Sequence, residues 1–146
     1  MKKHLLVKFF VFILIIVVVS ALLILLTVYA KKNQRDVQRL SDISRIRIAL
    51  ELYFFNRHKY PVAQTSVILG NAGALVICDT DEGVQNISDG CGKVFMERVP
   101  KDPLFEQGFV YSYASDGNTY SIDFVLEKSD SGLTAGSHRA TPESIE

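Results

Sequence analysis

From Phe9 to Ala30 the chain is apolar at every position except Ser20, Thr27 and the phenol of Tyr29. A bilayer-crossing helix needs about 20 such residues. From Lys31 to Arg57 the pattern changes but does not break, and neither Gly nor Pro occurs in that stretch. Val37, Leu40, Ile43, Ile46, Leu50 and Tyr53 recur at spacings of three and four, which is one face of a helix. Ile48, Leu52 and Phe55 widen that face on its C-terminal half. Asp36 with Arg39, Asp42 with Arg45 and Arg47 with Glu51 fall between the apolar positions, at spacings that pair weakly on a helix surface. The pattern therefore predicts one long helix over Phe9–Arg57, ended by Pro61. Its first half suits lipid, and its second half lays an apolar stripe against the rest of the chain.

The pattern switches to period two further on. Phe109, Tyr111 and Tyr113 alternate with Val110, Ser112 and Ala114; Tyr120, Ile122, Phe124 and Leu126 alternate with Ser121, Asp123 and Val125. Ser115-Asp116-Gly117-Asn118 lies between them, so the expectation is a β-hairpin on an Asp-Gly turn. Its aromatic face needs a cover, and the helix stripe supplies one. The predicted fold class is α+β, a long N-terminal helix packed on a small antiparallel sheet. Ala74–Cys78 reads as a further short strand, Lys93–Arg98 as one helical turn, and Pro100-Lys101-Asp102-Pro103 as a rigid bend. After Leu126 the chain turns polar and reads as loop and a loosely held tail.

Charge sharpens this division. Residues 1–60 hold eleven Lys and Arg against three acids, and residues 61–146 hold five against thirteen. Lys2, Lys3 and Lys8 precede the apolar run, and Lys31, Lys32 and Arg35 follow it, as cations flank a membrane helix beside anionic headgroups. With the basic residues bracketing lipid and the remainder acidic, no nucleic-acid contact is indicated. Val28-Tyr29-Ala30 loosely fits a signal-peptide cut, but the apolar run exceeds the 7–15 residues of such signals, which favours a retained anchor.

The two cysteines, Cys78 and Cys91, are framed by turn-forming residues, with no His nearby to complete a zinc site. A disulfide is expected, contributing roughly 3 kcal/mol for so short a loop. It places the C-terminal domain outside the cytoplasm, in an oxidising space. His4, His58 and His138 are scattered, none beside a nucleophile or carboxylate at an interpretable spacing, so no enzyme is expected. Asp79, Asp81 and Glu82, with Asp89, form an acidic loop whose oxygens suit calcium; the competing reading is a solvated loop held by the disulfide.

Taken in order, Arg35-Asp36, Arg39-Leu40, Asp42-Ile43, Ile46, Ala49-Leu50-Glu51-Leu52-Tyr53 and Tyr60-Pro61 resemble the exposed helix and following turn of type IV pilin-like proteins. Cys91-Gly92, Met96, Val99-Pro100-Lys101-Asp102-Pro103, Tyr111-Ser112-Tyr113, Ser115-Asp116-Gly117 and Tyr120 extend the resemblance, which is nearest to major pseudopilins of type II secretion systems. It implies a basic cytoplasmic leader (1–8), a transmembrane helix (9–30), an extracytoplasmic domain (31–127) and a polar tail (128–146), in a single-pass inner-membrane protein. It also implies a non-catalytic filament or secretion subunit that meets the bilayer and, through its helix, itself or other pilin-like subunits. Some pseudopilins bind calcium near the C-terminus, which adds Asp116 and Asp123 as candidate ligands; no other cofactor is implied. The family's processing site, a Gly followed by Phe-Thr-Leu-Ile-Glu, has no counterpart, because the apolar run holds neither Gly nor acid. That departure points to a plain single-span anchor and leaves leader removal and polymerisation open. The alternative function is a tethered binding module that uses the acidic disulfide loop 78–91.

Overall fold

A computed structural model describes residues 2–86, 90–129 and 132–146, with side chains from Lys8 onward. The chain divides into two units, Met1–Gln34 and Arg35–Glu146. Among the described residues the secondary structure is one long N-terminal helix, α1 (Lys2–Arg57), a 3-10 turn (Phe105–Gln107) and two small antiparallel sheets, so the class is α+β.

In the first unit every side chain from Lys8 to Ala30 is exposed, and the helix is long and apolar enough to cross a membrane. Its two aliphatic hydroxyls turn back on the helix: Ser20 Oγ donates to the Val17 carbonyl at 2.9 Å and Thr27 Oγ1 to the Ile24 carbonyl at 2.8 Å. Neither is left without a partner.

In the second unit, one sheet has the order β1-β5-β6-β7, from β1 (Ala63–Ile68), β5 (Ser112–Ser115), β6 (Tyr120–Leu126) and β7 (Gly136–Ala140). The other has the order β3-β2-β4, from β2 (Val76–Cys78), β3 (Val84–Gln85) and β4 (Val94–Met96). The expected hairpin is β5–β6. Ser115 pairs with Tyr120 and Ser112 with Asp123, so the first strand starts at Ser112 rather than Phe109 and the loop is Asp116–Thr119. Asp116 Oδ1 accepts from the Asn118 and Thr119 amides at 2.8 and 3.0 Å, and Gly117 turns at φ +93°. A side chain at Gly117 would press on Val62, 3.3 Å away, while the Gly117 carbonyl accepts from Tyr60 N–H at 2.8 Å.

The core is the inner face of the larger sheet against the helix. Tyr111, Tyr113, Tyr120, Ile122, Phe124, Leu126 and Ala140 cluster with Ile43, Ile46, Ala49 and Leu50. Two aromatic hydroxyls find backbone partners at the edges of this layer: Tyr113 Oη donates to the Pro61 carbonyl at 2.6 Å and Tyr53 Oη to the Thr80 carbonyl at 2.9 Å, whereas the buried Tyr120 hydroxyl has no partner among the described residues. The helix ends before Pro61 has any part in it. His58 takes φ +55° and its N–H bonds the Phe54 carbonyl at 2.7 Å, a left-handed C-terminal stop at a residue other than Gly.

Several expectations need correction. Ile48 (60 % exposed), Leu52 (47 %) and Phe55 (83 %) do not widen the buried face; they lie on the solvent side, as does Val37 at 52 %. The buried stripe runs through Asp36, Arg39, Ile43, Ile46, Leu50 and Tyr53, with Asp42 and Ala49 buried beside it, and its first two members are charged. The segment expected as a helical turn is β4: Val94 pairs with Cys78 and Met96 with Ile77, because the central strand β2 needs partners on both sides. Residues 136–140 are not a loose tail but β7, paired from Ile122↔Ala140 to Leu126↔Gly136. β6 imposes that strand, since its outer edge needs a hydrogen-bonded neighbour; Ala140 and His138 are buried beneath it. β1 had no alternation to betray it, being an edge strand with mostly exposed residues.

The two faces of α1 give opposite expectations. Leu50→Ala should lower the unfolding free energy by about 2–5 kcal/mol. Phe55→Ala should change it by less than about 0.5 kcal/mol. Urea titration of both variants checks the phase of the helix, and similar losses would place Phe55 in the core.

Candidate functional site

The charged end of the buried stripe is the most highly organised polar site in the second unit. Arg39 projects from α1 among three carboxylates. Its Nε and Nη2 donate to Asp102 Oδ2 and Oδ1 at 2.7 and 3.0 Å, a two-pronged bond. Its Nη1 donates to Asp36 Oδ1 at 2.7 Å and to Glu127 Oε2 at 3.0 Å. The guanidinium also lies over the Phe109 ring, 5.0 Å from its centre. One turn earlier Arg35 grips the same Glu127, Nε to Oε2 at 2.6 Å and Nη2 to Oε1 at 2.8 Å.

The carboxylates are themselves held by backbone. Asp36 accepts from Glu127 N–H at 3.0 Å and Lys128 N–H at 2.9 Å, and so tethers the chain just past β6. Asp102 accepts from Leu104 N–H at 2.7 Å inside the Pro100–Pro103 bend. Three separate segments therefore meet at one guanidinium: α1, the proline bend and the end of β6. Asp42 sits nearby, buried, accepting from exposed Arg45 at 2.8 Å and from Tyr111 Oη at 3.3 Å.

The electrostatics follow from burial and pairing. Burial opposes the charge on Arg39, but the bonds to Asp102, Asp36 and Glu127 outweigh it and raise its pKa further. The bond from Arg35 draws the Glu127 carboxyl down to about 2, with burial opposing and Arg39 assisting. Asp42 moves the other way, raised by burial despite Arg45. Burial, helped by Asp42, lifts the Tyr111 hydroxyl well above the ordinary phenol range. Every charge here is answered by a neighbour, so the arrangement is suited to holding segments together.

Asp36 and Arg39, expected as a weak surface pair, are thus fully buried. Arg47 and Glu51 also depart from the pairing expected of them. Arg47 donates to the Pro142 carbonyl at 3.0 Å, and Glu51 accepts from Tyr60 Oη at 3.0 Å. The sequence pattern assigns no role to Asp102 or Glu127. The spacing does mark Asp36 and Arg39 as buried, because they continue the three-and-four rhythm of Ile43, Ile46, Leu50 and Tyr53.

The disulfide joins Cys78, at the end of β2, to Cys91, with Cα atoms 5.8 Å apart. The excursion it closes is more than a loop, for it carries β3. Gly83 takes φ +68° where a side chain would strike Pro61 and Tyr53, at 2.6 and 2.8 Å, so the excursion lies directly against the end of α1. The proposed calcium ligands have separate duties. Asp79 accepts from Lys93 N–H at 2.8 Å, Asp81 pairs with Arg57 and Lys59, and Glu82 is exposed. Asp116 caps the hairpin loop and Asp123 pairs with Arg139 across the sheet at 2.7 Å. Asp89 lies outside the described residues. Among the described residues no three acids, histidines or cysteines gather as metal ligands.

Of the membrane-flanking cations, Lys8 and Lys31 are exposed and Lys32 is half-buried. The side chains of Lys2 and Lys3 lie outside those described. Arg35 belongs to the buried cluster through Glu127. No family model, curated protein or solved structure matches this chain.

Removing the central guanidinium leaves Asp36 and Asp102 buried without a counter-charge, so Arg39→Ala should cost about 3–5 kcal/mol. Denaturant unfolding measures this, and a loss below about 1 kcal/mol would mean that the carboxylates reach water. Glu127 gives a pH signature. Its folded pKa lies below the ordinary 4.5, so its contribution is complete above about 4.5 and is lost as pH falls toward about 2. Asp42, raised by burial, has the opposite sign and gains on protonation. Glu127→Gln should therefore flatten the acid limb of a stability-versus-pH curve between about 4.5 and 2, and an unchanged limb would remove Glu127 from the account. Cys78→Ser with Cys91→Ser should cost roughly 3 kcal/mol, read from the melting of the oxidised and mutant proteins.

Proposed function

We propose that the protein is a membrane-anchored, pseudopilin-like structural subunit or accessory protein of a type IV filament or type II secretion machine, without catalytic activity. The observation that carries this reading is the double use of α1. Residues 9–30 present an exposed, charge-free and almost wholly apolar surface, while Ile43, Ile46, Leu50 and Tyr53 of the same helix serve as core for an antiparallel sheet. The order of motifs from Arg35 to Tyr120, which resembles the pilin-like family, supports the same reading. In this reading residues 1–8 are a cytoplasmic leader, 9–30 the single membrane span, and the disulfide-bonded remainder lies outside the cytoplasm. Partners are the bilayer and, through the helix, further copies or other pilin-like subunits. The absence of Gly and of any acid from the apolar run favours a chain that keeps its leader as an uncut anchor.

A second reading, a tethered binding module, draws on one feature. Asp81 and Glu82 stand exposed on an excursion that the disulfide ties down, a fixed acidic surface. A partner for it would be basic.

One experiment separates the two. A photo-crosslinker at Leu23 in the full-length chain, expressed in membranes, should give products whose masses are those of further copies or of other single-span subunits. The intact mass of the purified protein should be that of the uncut chain. Crosslinking only from a probe at Glu82, to an unrelated basic protein, would replace the subunit reading with the binding-module one. Loss of residues through about Ala30 would remove the anchor altogether.

A further inference from the structure

We draw no further inference here: the strongest candidate, the exposed strip of Ile48, Leu52 and Phe55 on the solvent face of α1, carries nothing because nothing in the structure shows what covers it.

Discussion

The second unit depends on a single buried guanidinium. Arg39 has no exposed surface, and its desolvation is tolerable only because Asp36, Asp102 and Glu127 all reach it. Apolar contacts alone would permit the helix to slide or rotate on the sheet at modest cost, since hydrophobic attraction has no direction. Hydrogen bonds to a planar fork do have direction. Asp102 can meet the fork edge-on only if the Pro100–Pro103 bend sits beside that helical turn. Glu127 and Asp36 meet it only if β6 ends there. The cluster therefore sets the register of helix against sheet, and Ile43, Ile46 and Leu50 fill the space so defined.

The opposite end of the packed half of α1 is fixed differently. Tyr53, Tyr60 and Pro61 gather where α1 stops, with Tyr60 packed between the Phe54 and Tyr120 rings at 4.7 and 4.8 Å between centres. Gly83 and Gly117 let backbone come close enough to close the layer there. The disulfide then holds the excursion that carries Gly83. One end is locked by charge and the other by aromatic packing and a covalent bond, and the helix between them exposes its far side.

That exposed side bears on the proposed role. Arg35, which by sequence belongs with Lys31 and Lys32 as a membrane-flanking cation, is committed to Glu127. In the proposed role, the basic flank available to headgroups would be correspondingly shorter. The fold keeps its buried charges satisfied within itself and leaves residues 9–30 exposed, as the proposed role requires.

The sequence by itself determined the long helix, the membrane-length apolar run, the β5–β6 hairpin, the inner face Tyr111 to Leu126 and the pairing of Cys78 with Cys91. Each of these is written locally, in a period of two or of three and four, in an Asp-Gly turn, or in having only two cysteines. Tertiary structure alone decided the rest. β1, β4 and β7 are strands because neighbouring strands offered unpaired backbone groups, and their own residues carry little periodic signal. Ile48, Leu52 and Phe55 face solvent although their side chains are as apolar as those of Ile43 and Leu50, because the sheet is only wide enough to cover one side. Asp36 and Arg39 are buried although charged, because Asp102 and Glu127, sixty and more residues away along the chain, arrive at the same point. Local pattern records which residues prefer to leave water; which of them can do so depends on the partners that distant segments bring.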